Sequence, residues 1–142
     1  RERLYPVGTM DRSMTGVLLF TNDADTAKKL THPSRGAVQI LSVILDKALT
    51  KKDLLSIQKG VELEDGKAFI EEIRYANEAN KREIGIRVNR GKNRLVHRVF
   101  DSLGYAIEKL DRVSFAGLTK KNLSRGEYRL LDTKEIDFLK TR

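Results

Sequence analysis

The chain has 142 residues, sets 28 Lys and Arg against 20 Asp and Glu for a formal net charge of +8, and contains no cysteine. That excludes a disulfide framework and any cysteine-based zinc or redox site. No apolar run approaches the ~20 residues needed to span a bilayer, and Arg1-Glu2-Arg3 is not the start of a signal peptide. The expectation is a monomeric, cytoplasmic, non-membrane protein folded as a single domain over 1–142, with a polyanion as partner and nucleic acid first among polyanions.

The apolar run 17–20, fenced by Gly16 and by Thr21-Asn22-Asp23, predicts a central strand covered on both faces. Thr21 or Asn22 caps a short helix over 23–30, with Lys28 and Lys29 near its end as the helix dipole prefers, and Thr31-His32-Pro33-Ser34 stops it. Residues 38–45 are β-branched and apolar and predict a strand. Thr50 and Asp53 form a capping-box-like start; Leu54, Leu55 and Ile57 supply a buried face, and Gly60 marks the end. The turn Glu64-Asp65-Gly66 precedes a strand over 68–73, and Ile84, Ile86 and Val88 alternate as a half-buried strand. A helix over about 93–103 follows, because Leu95, Val96, Val99, Phe100 and Leu103 share one face and Gly104 ends it. Strands over 106–115 and 128–131 and a short helix opened by Thr133 complete the chain. Many strands with few helices indicate an α+β domain.

Two features carry chemistry. Asp11 lies on a polar, glycine-bearing loop that feeds the first strand, where a rigid sheet can hold a reactive group or where an aspartate can simply close a turn. The second is a basic corner: Arg90, Lys92, Arg94 and Arg98, with His97 and no acid, where a strand turns into a helix. Positive charge at a helix start opposes the dipole, so the corner suits an anion. Lys120, Lys121, Arg125 and Arg129 form a second basic cluster that can extend a phosphate track or merely aid solubility. The basic patches have no interleaved aromatics and the chain has no Trp, which argues against an open single-strand platform and for a structured RNA with one nucleotide drawn into a pocket. No helix-turn-helix, zinc-finger or basic-zipper pattern supports DNA.

Three blocks carry a family resemblance. Tyr5-Pro6-Val7-Gly8-Thr9-Met10-Asp11-Arg12, continuing through Thr15-Gly16 to Asp23, resembles the Y-P-V-G-R-L-D-R-x-T-x-G-L-L-L-L-T-N-D run of the RsuA-type branch of the pseudouridine synthases. Gly91-Lys92-Asn93-Arg94-Leu95-Val96-His97-Arg98-Val99-Phe100 is similar to that branch's G-R-N-R-Q-V-R-R-M-F. Leu110-Asp111-Arg112-Val113 through Gly117-Leu118, and then Arg125-Gly126-Glu127-Tyr128-Arg129, resemble its L-x-R-V-x-x-G-x-L-x-L and P-G-x-W-R.

The resemblance implies a pseudouridine synthase fold, with a mixed, largely antiparallel sheet flanked by helices around a central basic cleft. It implies a catalytic domain without the S4-type RNA-binding domain that usually precedes it. The implied activity is isomerisation of a uridine in ribosomal RNA, the large subunit favoured, without metal or other cofactor. Asp11 takes the catalytic role, supported by His97 and Arg98. Arg12, Thr15, Gly16, Leu41 and Leu118 line the substrate pocket. Arg90, Lys92, Asn93, Arg94, Lys120 and Lys121 hold RNA. The sequence departs from the pattern at Thr9, where the family has Arg, at Leu41, where it has a Tyr, and at His97, where it has Arg. A second reading is therefore a catalytically silent relative that binds ribosomal RNA and assists assembly.

Overall fold

The computed structural model describes residues 3–7, 10, 14–31, 38–89 and 93–140. The long strands follow period two. In β4 (Val38–Leu45), Gln39, Leu41, Val43 and Leu45 point into the protein, while the other face is only partly covered. β4 pairs antiparallel with β8 (Glu83–Asn89) on one side and β9 (Ile107–Phe115) on the other, with a bulge between Ile40 and Leu41 against β9. β7 (Glu72–Tyr75) extends the sheet beyond β8. On the free edge of β9, β10 (Leu118–Thr119) pairs antiparallel and β2 (Met14–Gly16) pairs parallel, Gly16 standing opposite Arg112. The expected mixed, largely antiparallel α+β sheet is found.

α2 (Lys51–Lys59) begins at Thr50, whose hydroxyl accepts the Asp53 N–H, and buries Leu54 and Ile57 beside β7. Leu55, expected on that face, points outward. The hairpin of β5 (Val61–Leu63) and β6 (Gly66–Ala68) follows. The strand expected over 68–73 is thus two short pieces, because 69–71 leave the β6 pairing before β7 begins. α3 (Asn93–Ser102) lies beside β5 and buries Val96, Val99 and Phe100 completely. Together with β4, β8 and α2 these side chains form the larger core.

A smaller core of Val7, Leu19, Leu30, Phe115, Ala116 and Leu139 joins the start of the chain to its end. Here the sequence expectation of a central strand over 17–20 fails. β2 ends at Gly16, whose φ of +115° turns the chain off β9. Residues 17–19 belong to no strand, keeping only single backbone bonds from Val17 to Arg112 and from Val7 to Leu19, and Phe20 and Thr21 form β3 (Phe20–Thr21) against β1 (Tyr5–Pro6), with Leu18 and Phe20 exposed. α1 (Ala24–Leu30) is capped by Asp23, which accepts from Asp25 and Thr26, so the cap lies one or two residues later than expected. The strand expected over 128–131 is also absent among the described residues: Tyr128 and Leu130 are 88% exposed and no strand runs alongside them. Their alternation with charged residues marks a solvated segment leading into α4 (Thr133–Lys140). α4 opens with a reciprocal box in which Asp132 accepts the Glu135 N–H and Glu135 accepts the Asp132 N–H.

Candidate active site

α3 presents the basic corner as the helical period dictates. Val96, Val99 and Phe100 face the larger core, Arg94, Arg98 and Asp101 face outward, and His97 is half-buried between the two sides. Asn93 is the first helical residue. Arg90 and Lys92, which precede α3, lie outside the described residues, as do Thr9, Asp11, Arg12 and His32. Met10 and Met14, the nearest described neighbours of Asp11, both pack on the larger core.

The cations with described partners are already partly committed. Arg98 donates from both terminal nitrogens to Asp65 on the β5–β6 turn, at 2.7 and 3.2 Å. That pair holds the Asp65 carboxyl below its usual range and raises Arg98. Beside it, a cavity of about 300 Å³ opens between the hairpin and α3, lined among others by Leu63, Lys67, Phe69, Leu95 and Arg98. Lys120 holds Asp111 at 2.8 Å, and the Thr15 hydroxyl donates to the same carboxylate at 2.5 Å. Burial alone would raise the Asp111 carboxyl, but the bonds from Lys120 and Thr15 outweigh it and leave it below its usual value. Arg129 is held by Glu135 at 2.7 Å. Arg94, Lys121 and Arg125 are exposed. Among the described residues no group of three or more His, Asp or Glu stands close enough to hold a metal ion.

Two of the candidate pocket residues, Gly16 and Leu41, stand opposite Arg112 on either side of β9. Gly16 lies directly against β9, where a Cβ would stand 2.2 Å from the Arg112 carbonyl oxygen. Leu41 is completely buried in the larger core, opposite Ile86 on β8 and Arg112 on β9, and contributes no accessible surface. Leu118 is half-buried against the smaller core. Sequence reading gave no role to Gln39 and Arg112, the two buried polar residues among those described, which bond each other at 3.0 Å. A signal was present: Arg112 stands two residues from Leu110 on a strand, at the position where alternation expects burial.

A family model described as RNA pseudouridylate synthase matches residues 1–102. The ribosomal large subunit pseudouridine synthase B of Vibrio cholerae is 34% identical over 140 residues, which is 97% of this chain and 44% of that protein. The protein of the same name from Bacillus subtilis is 32% identical over 143 residues, covering 98% of this chain and 58% of its own length. The chain spans about half the length of the curated relatives it matches. A crystal structure of a pseudouridylate synthase superposes with a TM-score of 0.82 at 23% identity, over 96% of this chain and 59% of that one, which establishes the fold.

Proposed function

We propose, for a chain that belongs to the RNA pseudouridylate synthase family, that it isomerises a uridine of large-subunit ribosomal RNA to pseudouridine, with Asp11 as the reacting carboxylate. The observation that carries this reading is the family match over residues 1–102, which takes in both the Asp11 segment and α3. Relatives named for the large ribosomal subunit supply the substrate class.

The reaction exchanges one bond to the sugar for another. C1′–N1 breaks, the freed uracil turns, C1′–C5 forms, C5 gives up its proton and N1 gains one. No electrons enter or leave, and the reading requires no metal or cofactor. A carboxylate serves by attacking the sugar or the base or by removing a proton, and for each it must be ionised inside a closed site. Desolvation opposes ionisation, so a neighbouring cation is required. The two supports read from the sequence are Arg98, bonded to Asp65 at 2.7 Å, and His97, half-buried on α3, and either supplies a cation for that role in this reading. The target nucleotide must leave its stack to reach the carboxylate. Arg94 and Lys121, both exposed, with Asn93 at the start of α3 and Arg90 and Lys92 ahead of it in sequence, grip the RNA backbone in this reading. Lys120 can join them only by sharing the ammonium that now holds Asp111. The protein works as a monomer in the cytoplasm.

Because C5 loses its hydrogen, a ribosomal RNA transcript tritiated at uridine C5 reports the reaction directly. The wild-type chain is expected to release tritium and Asp11→Ala to release none above background. A wild-type chain that binds the transcript but releases no tritium would leave an RNA-binding module without catalysis.

A further inference from the structure

Arg112 is 1% exposed on the central strand β9, among residues that sequence reading assigned to neither core nor site. Burial lowers its guanidinium only to about 10, so it is charged at neutral pH. Among the described residues no carboxylate pairs with it, and its Nη2 has no hydrogen-bond acceptor. A buried charge without a counter-charge is costly, and an apolar side chain of similar volume would fill the same space without that cost. Stability alone therefore does not account for an arginine here.

What the guanidinium offers is a planar fork that reaches two acceptors in different directions. Its Nε donates to the Val17 carbonyl at 2.8 Å, and its Nη1 donates to Gln39 Oε1 at 3.0 Å. The Phe115 ring, 4.5 Å from the guanidinium carbon, holds the plane of the fork. Val17 returns a bond from its N–H to the Arg112 carbonyl at 2.9 Å, and Gly16 packs against the Arg112 backbone. The fork thus ties the chain leaving β2 to Gln39, the second residue of β4, across the seam between the two cores. β2 itself is the continuation of the Asp11 segment.

We infer that Arg112 is a positioning residue: its fork fixes the Thr15-Gly16-Val17 turn against β4, and with it the β2 end of the segment that carries Asp11. The inference rests on the reading of Asp11 given above. Lysine keeps the charge but places one ammonium where two separated donors are needed, so it does not restore the clamp.

The test compares wild type, Arg112→Lys and Gln39→Met as full chains on unmodified large-subunit ribosomal RNA transcribed in vitro. Single-turnover pseudouridine formation at saturating RNA is measured beside RNA affinity by filter binding and folded fraction by circular dichroism. Arg112→Lys is expected to slow the step by about 100-fold, the cost of a small misplacement of a reacting group, while RNA affinity and folded fraction hold. Gln39→Met, which removes one arm of the fork, is expected to slow it less. Arg112→Lys that melts earlier but turns over at the wild-type rate when folded overturns the inference and makes Arg112 a packing residue. Affinity falling in step with rate also overturns it, in favour of an RNA contact. Should Arg112→Lys not fold, a wild-type rate in Gln39→Met overturns it. A wild-type chain with no turnover sinks the functional reading itself, an outcome distinct from active wild type with active variants.

Discussion

Gly16 shows at the scale of one residue how the sequence builds the junction beneath the candidate site. Its φ of +115° is a conformation that side chains rarely adopt, and a Cβ there would meet the Arg112 carbonyl oxygen at 2.2 Å. Gly16→Ala must therefore either strain the turn or push β2 away from β9. Chemical denaturation is expected to show a loss of about 3 kcal/mol, whereas a change below about 0.5 kcal/mol, the range of surface substitutions, would contradict the packing described. The glycine was legible as the end of an element, and the reason for it was not, because Arg112, which approaches it closely, lies about two-thirds of the chain away in sequence. Arg98 gives the same lesson from the other side. Its place on the outer face of α3 follows from the spacing of Val96, Val99 and Phe100, but its partner Asp65 lies on a hairpin that no periodicity connects to the helix. Leu41 was read as a pocket wall because it stands where the family has an aromatic ring. Its burial between β8 and β9 neighbours depends on strand pairing that no local pattern displays.

Elements built from local rules were readable with their boundaries. β4, β8 and β9 alternate or run apolar over seven to nine residues, α2 has its Thr50 cap and its Gly60 end, and α3 has an unbroken apolar stripe. The run 17–20 was misread because four apolar residues suit a covered strand equally well whether or not a partner is present, and here the edge of β9 is shared between β2 and β10. α4 is held by a different kind of local rule, and it carries a pH prediction. Glu135 accepts two bonds from Arg129 and one from the Asp132 N–H. The Arg129 hydrogen bonds are the largest of the effects that lower its carboxyl from the usual 4.5 to about 2. A carboxyl depressed on folding contributes stability that is fully present above its unfolded pKa and is lost as pH falls through the folded value. Protection of the α4 amides, taken relative to the intrinsic exchange rate at each pH, is expected to be unchanged down to about pH 4.5 and to fall between there and about pH 2. Glu135→Gln should remove that dependence, and pH-independent protection in wild type would contradict the capping role.

Across the whole molecule, two cores meet along β9, with the buried Arg112–Gln39 pair at the seam and the Asp11 segment and α3 supplying the groups read as chemistry. The formal net charge of +8 suits a backbone-gripping RNA enzyme. The fold class was legible because enough elements were, and the family was legible because three motif blocks stand in order along the chain. The seam was not, since it depends on contacts between residues 17, 39 and 112 that only the assembled sheet brings together. The most direct measurement is a nucleotide-resolution map of pseudouridine in unmodified large-subunit ribosomal RNA after incubation with the chain and with Asp11→Ala. The account predicts pseudouridine at a defined uridine with wild type and none with the variant. An unchanged map for wild type on RNA that it demonstrably binds, or the same new pseudouridine from both proteins, would contradict it.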